Sequence, residues 1–200
     1  MSANLSLFLS VWIKFSFLFT PFFVLSMFLS MTEDYTEKRR RKLALAVSGA
    51  TAVICLVLFF AGTQLFSLFG ITLNSFRIGA GALLFLSAVS LVQGKTASTD
   101  TAEGDIAVVP LAIPIIVGPA TTGTLLVLGA ELEGVSAKGF GSLALLFAVF
   151  CLCILLLSGS RIQRSLGNRG ISILSKLTGL ILSALAAQMI MTGIQGFMAN

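Results

Sequence analysis

The residues of this chain with the most chemical potential are prolines set inside apolar sequence. All four fall in two apolar runs: Pro21 in the first, and Pro110, Pro114 and Pro119 in the fourth. A proline in a helix interior removes a backbone hydrogen bond and clashes with the preceding turn, a cost of about 3 kcal/mol. At membrane depth the freed carbonyls have no water to turn to, so they face protein groups or a wet cavity. Interrupted apolar segments in two halves of a chain point to a binding site.

Within the fourth run, Gly118-Pro119-Ala120-Thr121-Thr122-Gly123 reads as a break followed by a fresh helix start, because proline suits the first helical position. Such a start exposes backbone N–H groups and the positive end of the helix dipole. Together they can hold an anionic group such as the carboxylate of an amino acid. Thr121 and Thr122 add hydroxyl donors, while Gly118 and Gly123 let a ligand or another backbone come close. Pro21 and Ser26 supply the counterpart in the first run. The candidate substrate-binding set is Pro21, Ser26, Pro114, Gly118, Pro119, Ala120, Thr121 and Thr122.

Other chemistries find no support. Histidine is absent, which removes the commonest general base and metal ligand. Cys55, Cys151 and Cys153 lie in apolar runs, where thiols behave as small hydrophobes. Every carboxylate falls in an expected loop or helix end: Glu33, Asp34, Glu37, Asp100, Glu103, Asp105, Glu131 and Glu133. The expectation is no catalytic residue, no cofactor, no metal site and no enzyme. Proton-driven carriers use an intramembrane carboxylate or histidine. If transport is coupled to an ion, sodium held by freed carbonyls and hydroxyls fits better, and uncoupled diffusion is equally open.

The elements that position these residues follow from composition. Of 200 residues, 56% are hydrophobic and 10% charged, with a mean hydropathy of +1.02. Soluble domains carry about a quarter charged residues, and a bilayer span needs about 20 mostly apolar ones. Six apolar runs, 5–31, 43–69, 73–92, 106–130, 140–158 and 173–198, read as transmembrane helices joined by short polar loops. The first is a retained helix: it is too long for a signal peptide, and no small-x-small cleavage site follows.

The net charge of +5 reflects Lys and Arg beside membrane segments and calls for no nucleic-acid partner. The loops after runs one, three and five hold Lys38 to Lys42, Lys95, Arg161, Arg164, Arg169 and Lys176; only Lys14, Arg77 and Lys138 lie opposite. Positive residues stay cytoplasmic, so both termini are expected outside. Arg77 and Lys14 read as interfacial snorkelling side chains, with a substrate or gating role as the alternative for Arg77. Gly179, Ser183 and Ala187 suggest a small-residue packing face, with Gly79 and Gly81 doing the same in run three. Gln188 fits an interhelical hydrogen bond.

The halves resemble each other. Gly70-Ile71-Thr72-Leu73-Asn74-Ser75 is echoed by Gly170-Ile171-Ser172-Ile173-Leu174-Ser175, and Pro21-Phe22-Phe23-Val24 by Pro114-Ile115-Ile116-Val117. Three helices per half put the second half into the membrane from the opposite side. The expected fold is an all-α membrane protein of six transmembrane helices. They form two three-helix inverted repeats, with helices 1 and 4 interrupted by proline. One domain covers 1–200, with repeat 1 at 1–93, a cytoplasmic linker at 94–105 and repeat 2 at 106–200.

Three stretches resemble the MarC family of bacterial inner-membrane proteins: Asn74-Ser75-Phe76-Arg77-Ile78-Gly79-Ala80-Gly81, Ile106 to Pro114 continuing through Gly118-Pro119, and Leu177-Thr178-Gly179-Leu180-Ile181-Leu182 with Gln188 and Gly193-Ile194. That family is grouped with LysE-type exporters and described as neutral amino-acid transporters. The resemblance implies a multi-pass protein of the bacterial cytoplasmic membrane with the bilayer and a small solute as partners; oligomeric state stays open. The family's first helix usually reads Asp-Pro-x-Gly-x-x-Pro, often with Asn before the second proline. Here Thr20, Phe23, Val24 and Ser26 stand at those places. The reading is a secondary transporter or facilitator of small neutral amino acids. A channel-like pore, or a non-transporting membrane protein that modulates a partner, is the alternative.

Overall fold

The computed structural model describes residues 2–94, 112 and 116–198. Over these the chain forms seven helices and no strand: α1 (Ser2–Leu18), α2 (Pro21–Met31), α3 (Glu37–Phe69), α4 (Leu73–Gln93), α5 (Pro119–Glu131), α6 (Val135–Leu157) and α7 (Gly159–Met198). Helices α4, α6 and α7, and α3 over Glu37–Ala61, are each long and apolar enough to cross a bilayer. The pair α1 and α2 passes the same test as one bent span, with 42° between its halves. The first part of the fourth run, including Pro110 and Pro114, lies outside the described residues apart from Ala112, as does 95–105 of the linker.

Two stretches expected as polar loops are helical. The basic run Lys38 to Lys42 belongs to the first turns of α3. Thr36 caps that helix, its side chain accepting from Arg39 N at 3.4 Å, and Glu37 lies in the first turn, where a carboxylate complements the dipole. Lysine and arginine are good helix formers, so polarity alone does not make this segment a loop. Similarly, the polar stretch 159–172 lies within α7, interrupted only at Gly167, whose φ of 66° belongs to the left-handed region open to glycine.

The tightest seam joins α4 to α7, which run antiparallel. A methyl group on Gly81 would lie 2.7 Å from Ile190 Cγ1, one on Gly179 would lie 3.0 Å from the Ala88 carbonyl, and one on Gly193 would lie 2.8 Å from that of Asn74. The seam on α7 therefore passes through Gly179, Leu182, Ala186 and Gly193, all buried. Gly179 and Gly81 pack as expected, but the rest of the expected face is corrected: Ala187 is exposed and Ser183 half-buried, and Gly79 is exposed with no neighbour within 4 Å. A row of every fourth residue drifts about 40° per step on a helix of 3.6 residues per turn, so it leaves the contact within two steps.

Helix α5 wedges between α3 and α4. A side chain on Gly129 would collide with the Phe59 carbonyl, and one on Gly123 with Ala80. On α6, Trp12 meets the Phe147 ring edge-on at 5.4 Å, joining α1 to that helix.

Candidate functional site

Both proline-headed helices begin at a break without a side-chain cap. Thr20 precedes α2 with φ 45° and ψ 57°, and Pro21 follows it as the first helical residue. This is the left-handed region, costly for a β-branched residue, and Thr20 is the one non-glycine residue with positive φ among those described. Gly118 precedes α5 in extended conformation, with Pro119 first in the helix. By contrast, α3 and α4 are capped by Thr36 and Thr72. The break expected at Gly118-Pro119 is thus present, and α2 begins the same way.

Near the α5 start, the hydroxyls of Thr121 and Thr124 are engaged by backbone carbonyls. Thr121 is 3% exposed and its Oγ1 donates to the Ile116 carbonyl at 3.1 Å. Thr124, one turn on, donates to the Ala120 carbonyl at 2.9 Å. A hydroxyl has a single proton, so each now offers only acceptor lone pairs. Thr121 satisfies a carbonyl exposed by the break, as physics requires of buried backbone. Thr122 is half-buried, and its backbone N–H donates to the Gly118 carbonyl at 2.9 Å. Ala120 is buried. Ser26 is exposed on α2, which packs on α7 and α6, whereas α5 packs on α3 and α4. Pro21 is half-buried.

Between α1, α4, α5 and α7 lies a cavity of about 460 Å³. It is lined at one end by Arg77 and Glu131 and also by Lys14, Gln188, Thr124 and Leu18. Leu18 is the last residue of α1, two before Thr20; Thr124 is one helical turn beyond Thr121. These are the lining residues nearest in sequence to the two breaks; Pro21, Ser26, Gly118, Ala120, Thr121 and Thr122 do not line the cavity. Its volume suits a small organic molecule.

In the sequence Lys14 reads as snorkelling, Glu131 as a helix end, and Arg77 as snorkelling with a substrate or gating role as the alternative; the structure gathers all three in one lining. Arg77 Nη2 and Nε both reach Glu131 Oε1, at 2.6 and 3.1 Å, and Nη1 donates to Asn74 Oδ1 at 2.9 Å. Lys14 makes no ion pair among the described residues. The available signal was opposite charge at the edges of two apolar runs, the usual mark of function in a membrane segment. Elsewhere, Ser48 and Thr51 on α3 are buried with no hydrogen-bond partner among the described residues.

The sequence pattern of the "MarC family integral membrane protein" group matches residues 5–198, spanning both breaks and the cavity. The chain belongs to the MarC family. It is a multi-pass integral membrane protein. Similar members include a "UPF0056 membrane protein" of Methanocaldococcus jannaschii, 33% identical over 88% of this chain and 90% of that one. Another is the UPF0056 membrane protein YhcE of Escherichia coli, 32% identical over 90% and 87%. A third, from Aquifex aeolicus, is 29% identical over 97% and 95%. No solved structure matches the chain.

Proposed function

We propose that this MarC-family protein carries small neutral amino acids across the bacterial cytoplasmic membrane as a six-span carrier built from two inverted three-helix repeats. The observation that supports it is a cavity lined by Lys14, Arg77, Glu131 and Gln188 in a bundle that also holds two uncapped, proline-headed helix starts. Half-helices whose positive ends meet a substrate carboxylate are how many inverted-repeat carriers bind. A neutral amino acid also brings an ammonium group. The cavity lining offers Glu131 for that end and Lys14 for the carboxylate.

In this reading both termini face the periplasm, and coupling, if present, is to sodium. Acceptor-only hydroxyls at Thr121 and Thr124 suit a cation better than they suit an anion. The test is purified protein in liposomes with labelled glycine, alanine and serine under imposed sodium or proton gradients. Saturable uptake with counterflow is expected, and Gly118→Leu should abolish it in a protein that still folds. Unsaturable flux would indicate a pore. Folded protein with no flux above empty liposomes, or undiminished flux in the variant, would reject the carrier.

A further inference from the structure

At the opposite end of the bundle from Arg77, the start of α3, the end of α6 and the start of α7 enclose a second cavity, of about 210 Å³. Its polar lining is Arg40, Arg41, Arg161, Glu37, Ser158 and Ser160, so three guanidinium groups face one carboxylate and the net charge is +2. Glu37 is already committed, 2.7 Å from Arg41 Nη2. Arg40 is held in place from two sides: Nη2 donates to the Thr32 carbonyl at 2.6 Å and Nη1 to Ser160 Oγ at 2.9 Å. Its Nε is buried with no partner among the described residues. The net positive lining, with Arg41 and Arg161 beside the anchored Arg40, suits an anion with several acceptor oxygens.

The surroundings say which anion. Leu157 belongs to the cavity lining and is 41% exposed, and the exposed apolar residues Ile154 and Phe150 continue from it along α6. On α3, Leu45 and Gly49 follow Arg41 at one-turn spacing, and both are exposed. Gly49 has no neighbour within 4 Å, so that ladder is open alongside. A charged socket at the head of two apolar ladders matches a phosphate on acyl chains rather than a free ion.

We propose that this socket binds the phosphodiester headgroup of an anionic phospholipid, with its acyl chains along the exposed faces of α3 and α6. Basic pockets between membrane helices bind anionic headgroups in this way. The assignment is independent of what the protein transports.

The experiment uses the purified full chain in neutral detergent, with lipid adducts counted by native mass spectrometry and the melting temperature followed alongside. Phosphatidylglycerol should form a discrete adduct and raise the melting temperature, whereas zwitterionic phosphatidylethanolamine should do neither. The double variant Arg41→Gln/Arg161→Gln spares Arg40 and should weaken the adduct by at least about tenfold. Arg169→Gln, outside the socket, should leave it unchanged. Equal adducts with both lipids, or full binding by the double variant, would overturn the site. Stabilisation by inorganic phosphate alone, equal to that by the lipid, would overturn the lipid assignment. If the double variant fails to fold, the single Arg161→Gln variant decides between the same outcomes.

Discussion

Arg77 Nη2 lies 2.6 Å from Glu131 Oε1, tying the start of α4 to the end of α5 across 54 positions of sequence. Both side chains line the large cavity, and they are only 18% and 35% exposed. The pair therefore both pins α5 against α4 and sets the charge at one end of the cavity. Its partial exposure keeps the ionic contribution modest, so it matters more as a positioner than as a source of stability.

Glu131→Gln should lower stability by about 1 kcal/mol, since a partly exposed pair is screened by solvent. Arg77→Gln should cost about the same, and a double-mutant cycle read by thermal melting should show positive coupling. In the carrier reading, both single variants also slow flux. Strict additivity in the cycle would mean that the two groups do not interact as described.

Gly179→Val should destabilise the α4–α7 seam by about 1–3 kcal/mol, because the added side chain meets Val92 and the Ala88 carbonyl. Gly79→Val, on the exposed face of α4, should be near neutral. Equal losses at the two positions in melting experiments would contradict the packing arrangement.

Thr20→Asn should stabilise the fold by about 1 kcal/mol, because asparagine tolerates the left-handed region that a β-branched residue resists. Thr20→Val keeps the shape and the strain, so it should gain nothing. A less stable asparagine variant would show that the hydroxyl, rather than the backbone, decides this position.

A reporter fused after Asn200 tests the orientation reading. Alkaline phosphatase there should be active, and a fluorescent protein that matures only in the cytoplasm should be dark. The reverse pattern would sink the arrangement with both termini outside.

Four of the six expected spans, a fifth as the bent pair α1 and α2, and the break at Gly118-Pro119 were legible in the sequence because each depends on local properties. About 20 apolar residues in a row must become a helix in lipid. Proline is favoured at the first helical position, so Gly118-Pro119 ahead of an apolar run could be read as a helix start from local sequence. Residues 38–42 were harder: a basic stretch is equally at home in a loop or in a capped helix end, and the Thr36 cap decided for helix.

The cavity could not be read that way. Arg77, Glu131 and Lys14 sit on three different helices, and each alone reads as an interfacial charge. Thr121 reads as a free donor in the sequence, whereas in the structure its hydroxyl donates to the Ile116 carbonyl. The α7 seam likewise depends on which face α4 presents. Amino-acid order determined that this chain is a helical membrane protein with proline-headed breaks, because lipid leaves the backbone few choices. Only the tertiary structure decided which polar groups meet and which are already satisfied, because those facts belong to pairs of residues far apart in the chain.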